Sequence, residues 1–84
     1  MAKKVLIVDD SAAELMQLRT WLHDAGYDTS TASNGKEAVT KASTELPAII
    51  LMDVVMPETD GYEACRQLRA NPATKAIPIV IVSS

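Results

Sequence analysis

Ile49-Ile50-Leu51-Met52-Asp53-Val54-Val55-Met56-Pro57-Glu58-Thr59-Asp60-Gly61 is the stretch that decides the fold of this chain. Four large apolar residues in a row read as a strand buried on both faces. A carboxylate ends the run, followed by a loop with Pro57 and the turn-or-cap pair Asp60-Gly61. An acid at the C-terminal tip of a central parallel strand stands where open α/β sheets bind ligands. Taken alone, Asp53 is more simply a loop-facing cap in contact with water. The flanking sequence argues otherwise.

Upstream, Val5-Leu6-Ile7-Val8 is a second continuous apolar run, and it too stops at acid, Asp9-Asp10. Ser11-Ala12-Ala13-Glu14 has the form of a capping box, with Ser11 or Asp10 as the helix cap. Leu15, Leu18, Leu22 and Ala25 then give one apolar helix face, and Gly26 closes the helix. Tyr27 to Ala32 holds Thr29, Ser30 and Thr31 and is polar enough to be a sheet edge. Asn34-Gly35-Lys36-Glu37 opens a second helix with a thin stripe of Ala38, Val39, Ala42 and Leu46, ended by Pro47. Downstream of Gly61, Tyr62, Cys65, Leu68 and Arg69 mark a third helix opened by Asp60 and broken by Asn71-Pro72. Ile77-Pro78-Ile79-Val80-Ile81-Val82 reads as the last strand, and Ser83-Ser84 ends the chain.

The alternation β-α-β-α-β-α-β demands parallel pairing with right-handed crossovers. All strand ends then share one rim, which gathers Asp9, Asp10, Asp53 and the Ser83-Ser84 pair. Carboxylates within a few ångströms of one another repel by roughly 1–4 kcal/mol per pair, so raised pKa values or a hard cation must offset the charge. Magnesium takes one or two carboxylates, several waters and phosphate oxygens, and the cluster lacks the His and Cys that favour zinc. Asp53 is the natural nucleophile toward a phosphoryl group, forming an acyl phosphate, with the Ser83 hydroxyl as a donor to its oxygens.

Val5-Leu-Ile-Val-Asp9-Asp10-Ser11, Leu51-Met-Asp53-Val-Val-Met56-Pro57-x-x-Asp60-Gly61 and Pro78-Ile-Val-Ile-Val-Ser83 together resemble the receiver domain of two-component response regulators. The resemblance spans residues 1–84. It implies a flavodoxin-like (CheY-like) parallel sheet of order 2-1-3-4 with helices on both faces, and a domain cut off before its fourth helix, fifth strand and fifth helix. It also implies Asp53 as phospho-acceptor and Ser83 as the switch hydroxyl. Mg2+ would be held by Asp10 and Asp53 directly, by Asp9 through water and by the Val55 carbonyl. The expected partner is a histidine kinase or phosphotransfer protein, and the role is that of a signalling module, not an enzyme. The Asp-Ser opening, Asn71-Pro-x-Thr-x-x-Ile-Pro and Ser83-Ser84 look most like stand-alone receivers of chemotaxis-like systems that control twitching motility.

Other readings compete with this one. Haloacid-dehalogenase phosphatases also use a strand-end Asp with magnesium, but in an Asp-x-Asp arrangement where this chain has adjacent Asp9-Asp10. A fragment serving only as an assembly or folding unit is the third reading. The exposed fourth strand is expected to favour a homodimer, by edge pairing or exchange of elements. With 84 residues the chain is one small domain that buries only about 60% of its unfolded surface. Its 48% apolar content and net charge of −3, with no Lys/Arg stripe, point away from disorder and from nucleic acid. No run reaches membrane-spanning length and no secretory leader pattern opens the chain, which makes the cytoplasm its expected location. Cys65 reads as a structural thiol, His23 as a solvated residue, Trp21 as helix-flank packing, and Met52 and Met56 as packing. Glu58, Lys36 and Glu37 read as solvated charges, and Asp60 as a cap.

Overall fold

The computed structural model describes residues 3–53 and 61–82. The elements run β1 (Lys4–Val8), α1 (Ala12–Asp24), β2 (Asp28–Ala32), α2 (Gly35–Glu45), β3 (Ile49–Asp53), α3 (Gly61–Ala70) and β4 (Ile79–Val82). The four strands form one sheet of order β2-β1-β3-β4, parallel throughout. This is the α/β architecture and strand order expected from the sequence. Val8 lies opposite Met52, so β1 and β3 end side by side.

The continuous apolar runs behave as two-faced strands at the centre of the sheet. Val5 to Val8 are all buried, with Leu6 and Val8 facing α2 and α3. On that face they join Ile50, Met52, Ala38, Ala42, Ala64, Leu68 and Ile77 in one cluster, edged by Val39, Cys65 and Ile79. Small alanines let α2 and α3 lie close to the sheet. The other face is covered by α1, which buries no residue fully; Leu15, Leu18 and Leu22 are half-buried and Ala25 is exposed.

Helix starts follow their capping residues. The Ser11 hydroxyl accepts the Glu14 amide at 3.4 Å, and Asn34 accepts the Glu37 amide at 2.8 Å. Gly26, at φ 95, follows the last turn of α1 in a backbone region that a side chain disfavours. Three details depart from the sequence reading. Leu46 is not part of the α2 stripe: it is the C-cap, left-handed at φ 49 and exposed. In α3 the buried positions are Ala64 and Leu68, whereas Tyr62 and Arg69 face outward. The last strand starts at Ile79, because Ile77 and Pro78 belong to the turn before it.

That turn is tightly tied. Asn71 accepts the Ala73 amide on its side chain and the Thr74 and Lys75 amides on its carbonyl. Thr74 is buried and donates to the Leu68 carbonyl at 2.7 Å, which satisfies a hydroxyl that would otherwise be costly there.

Candidate functional site

Each acid owes its place to the end of a strand. Asp53 is the last residue of β3. Asp9 follows β1 directly, and its amide donates to the Ala32 carbonyl at 3.1 Å, which fixes its backbone to β2. Asp10 stands at the turn into α1. One carboxylate oxygen from each of Asp9, Asp10 and Asp53 lies within 4.8 Å of the others. Asp9 and Asp53 are 4% and 5% exposed, while Asp10 is open to solvent. The reading of Asp53 as an acid touching only water is thereby overturned: it is buried at the sheet rim beside a second buried acid.

The electrostatics follow from this crowding. Burial holds the Asp9 carboxyl above its ordinary range, and the neighbouring Glu14 carboxyl pushes in the same direction. The Ser11 amide opposes them by donating to Asp9 Oδ1 at 2.9 Å, and contact with Asp53 also opposes them. The donor set is all oxygen, partly buried and open on the Asp10 side. That is the chemistry of a hard divalent cation that keeps part of its water shell, and the three carboxylates fit magnesium on this ground.

Of the other residues singled out in the sequence, Val55, Ser83, Ser84, Met56, Glu58 and Asp60 lie outside the described residues. Met52 is fully buried in the core, while His23 and Trp21 are exposed. Cys65 is half-buried, packs at the core edge, and has its thiol pushed up by burial, as suits an unreactive side chain. Lys36 is exposed, but Glu37 is more than a solvated charge. It accepts from Ser33 at 3.1 Å, pairs with Lys41 at 3.3 Å and is held below the usual carboxylate range, chiefly by Ser33. Glu14 is the residue at the site that the sequence reading misses. Its position in the capping box suggests only a helix start, yet after burial it is the next influence holding the Asp9 carboxyl up.

The family model for the response regulator receiver domain matches residues 5–84. The chain belongs to this family. Among curated receiver proteins it is 40% identical over 84 residues to Response regulator PleD of Caulobacter vibrioides, covering all of this chain and 18% of that protein. It is 42% identical over 81 residues to Protein PilH of Pseudomonas aeruginosa, covering 96% of this chain and 67% of PilH. A similar solved structure is the receiver domain of sensor histidine kinase PA1611 from Pseudomonas aeruginosa PAO1, which has a magnesium ion coordinated in its active-site cleft. The match has a TM-score of 0.91 at 30% identity and covers 96% of this chain and 66% of that one. This chain thus spans less than a fifth of PleD and about two thirds of the other two. No helix among the described residues is long and apolar enough to cross a membrane.

Proposed function

We propose that this receiver domain accepts a phosphoryl group on Asp53 from a histidine kinase or phosphotransfer protein, with Mg2+ held at the acidic rim. The observation that carries the reading is the meeting of Asp9, Asp10 and Asp53 within 4.8 Å at the ends of two adjacent strands. Asp10 and Asp53 would hold the ion directly, Asp9 through water, and the Val55 carbonyl would be a further ligand. The magnesium in the cleft of the PA1611 receiver supports the choice of ion. When bound, Mg2+ neutralises charge on the transferring oxygens. An Asp53 carboxylate oxygen forms the new O–P bond as the P–N bond to the donor imidazole breaks, and that bond's electron pair returns to the ring nitrogen. The Ser83 hydroxyl donates to a phosphate oxygen.

The protein then works as a stoichiometric switch in the cytoplasm, not as a turnover catalyst. Its resemblance to stand-alone motility receivers favours a chemotaxis-like or twitching-motility output. Incubation with acetyl phosphate and magnesium should add one labile phosphoryl group by intact mass, and Asp53→Asn should abolish it. Continuous release of phosphate from an ester would instead favour the phosphatase reading. Normal folding with neither labelling nor magnesium affinity would favour the assembly-unit reading.

A second reading concerns partners. Val80 and Ile81 are 44% and 46% exposed on the outermost strand, an apolar edge of the kind that pairs with another chain. We infer that this chain self-associates through β4. Sedimentation at micromolar concentration should show a dimer; a single monomeric species would count against it.

A further inference from the structure

The entry to α2 carries a chemically reactive pair that the fold holds shut. Asn34 is followed by Gly35, which has no side chain to hinder attack by its own nitrogen on the asparagine before it. In that reaction the Gly35 nitrogen gives its proton to a base in solvent and bonds to Asn34 Cγ. The Cγ–Nδ2 bond breaks, its electron pair leaves with Nδ2 as ammonia, and a five-membered imide remains. Water then opens the imide at one carbonyl or the other, leaving aspartate or isoaspartate.

Three features of the structure oppose ring closure. The ring needs Asn34 Cβ and the Gly35 nitrogen eclipsed, whereas ψ 171 at Asn34 staggers them. Turning that bond would swing the Asn34 carbonyl away from the Ala38 amide, which it accepts at 3.0 Å. The side chain is held as well, since Asn34 Oδ1 accepts the Glu37 amide at 2.8 Å. Gly35 is buried, which shields its nitrogen from the base. All three restraints belong to the first turn of α2, so they are lost together when that turn opens. Ser33 braces the turn by donating to Glu37 Oε2 at 3.1 Å.

We propose that Asn34-Gly35 is a site of spontaneous modification, with water as the only co-reactant, closed in the folded protein and uncovered when the first turn of α2 opens. The two products differ in effect. Aspartate still accepts the Glu37 amide and places a negative charge at a helix N-terminus, where it is favourable. Isoaspartate adds a methylene to the main chain and puts the cap out of register with the Ala38 bond. It stands two residues after Ala32, whose carbonyl anchors the Asp9 amide at the acidic rim.

Incubation of the full chain at mildly alkaline pH, folded and in urea, followed by peptide mass mapping, tests this. The other asparagine, Asn71, is an internal control, because Pro72 has no N–H with which to attack. The Asn34 peptide should gain the mass of an amide-to-acid exchange at least about tenfold faster in urea than in the folded protein. Ser33→Ala should raise the folded rate about twofold and leave the rate in urea unchanged. Asn34→Asp should melt close to wild type, and the isoaspartate form purified from aged protein should melt below it. Equal rates folded and in urea, or an unmodified Asn34 peptide in urea, would overturn the inference.

Discussion

The two edges of the sheet are built on opposite principles. β2 is spelled Asp-Thr-Ser-Thr-Ala and β4 Ile-Val-Ile-Val, yet among the described residues each pairs with a single neighbour. On β2, the bonds from the Asp28 amide to Lys3 and from the Asp9 amide to Ala32 point alternate residues at β1. Thr29 and Thr31 therefore present their backbone groups outward. Lys41 closes that edge by donating to the Thr31 carbonyl, and Ser30 donates to Glu45, itself paired with Lys4 at 3.3 Å. On β4, the Pro78 carbonyl accepts the Ile50 amide, which by the same alternation turns the backbone groups of Ile79 and Ile81 outward. Their side chains are apolar, and no lysine stands over them among the described residues. An edge blunted by charge resists further pairing; an apolar one invites it.

The sharpest way to break this contrast is to give β4 the chemistry of β2. Ile81→Lys places a charge on a half-exposed edge position and should weaken self-association at least about tenfold, roughly 1.4 kcal/mol. Sedimentation should then show a monomer where wild type is expected to show a dimer. An unchanged dimer would move the contact away from β4.

The reverse change removes the protection of β2. Lys41→Ala deletes the donor to Thr31 and the pair with Glu37, and should cost about 0.5–1.5 kcal/mol in urea unfolding because both contacts are partly exposed. No loss of stability would mean that the lysine is an ornament of the edge and not its cap.

The smallest effect lies at the rim between the two edges. The Asp9 carboxyl is raised in the folded protein above its ordinary value of 3.8, chiefly by burial. The folded state therefore holds this proton more firmly than the unfolded chain does. Its penalty is absent below about that ordinary value, sets in as pH rises through the raised value, and persists above it. Without divalent ions, Asp9→Asn should therefore melt above wild type at neutral pH, the gap closing as pH falls toward 3.8. A gap independent of pH would assign the effect to something other than this charge.

How much of this is legible in the sequence depends on what each signal encodes. β1 and β3 are plain because an apolar run buried on both faces needs no partner to be recognised. The three acids are plain as well, since a parallel sheet brings strand ends to one rim. The α3 stripe misleads because Ala64 carries little hydrophobic signal, whereas Tyr62 carries much and is exposed. Leu46 misleads because an apolar side chain says nothing of a left-handed cap. The influence of Glu14 on Asp9 is hidden because it depends on spacings of ångströms that residue order does not express.

The role proposed for Asp53 and its neighbours is to hold a divalent ion and receive phosphate. Melting with magnesium and beryllofluoride, a phosphoryl mimic, tests it most directly. Wild type should gain stability as ligand is raised, by about 2.7 kcal/mol at a hundredfold excess over its dissociation constant, and Asp53→Asn should gain none. Equal gains in both proteins would contradict it.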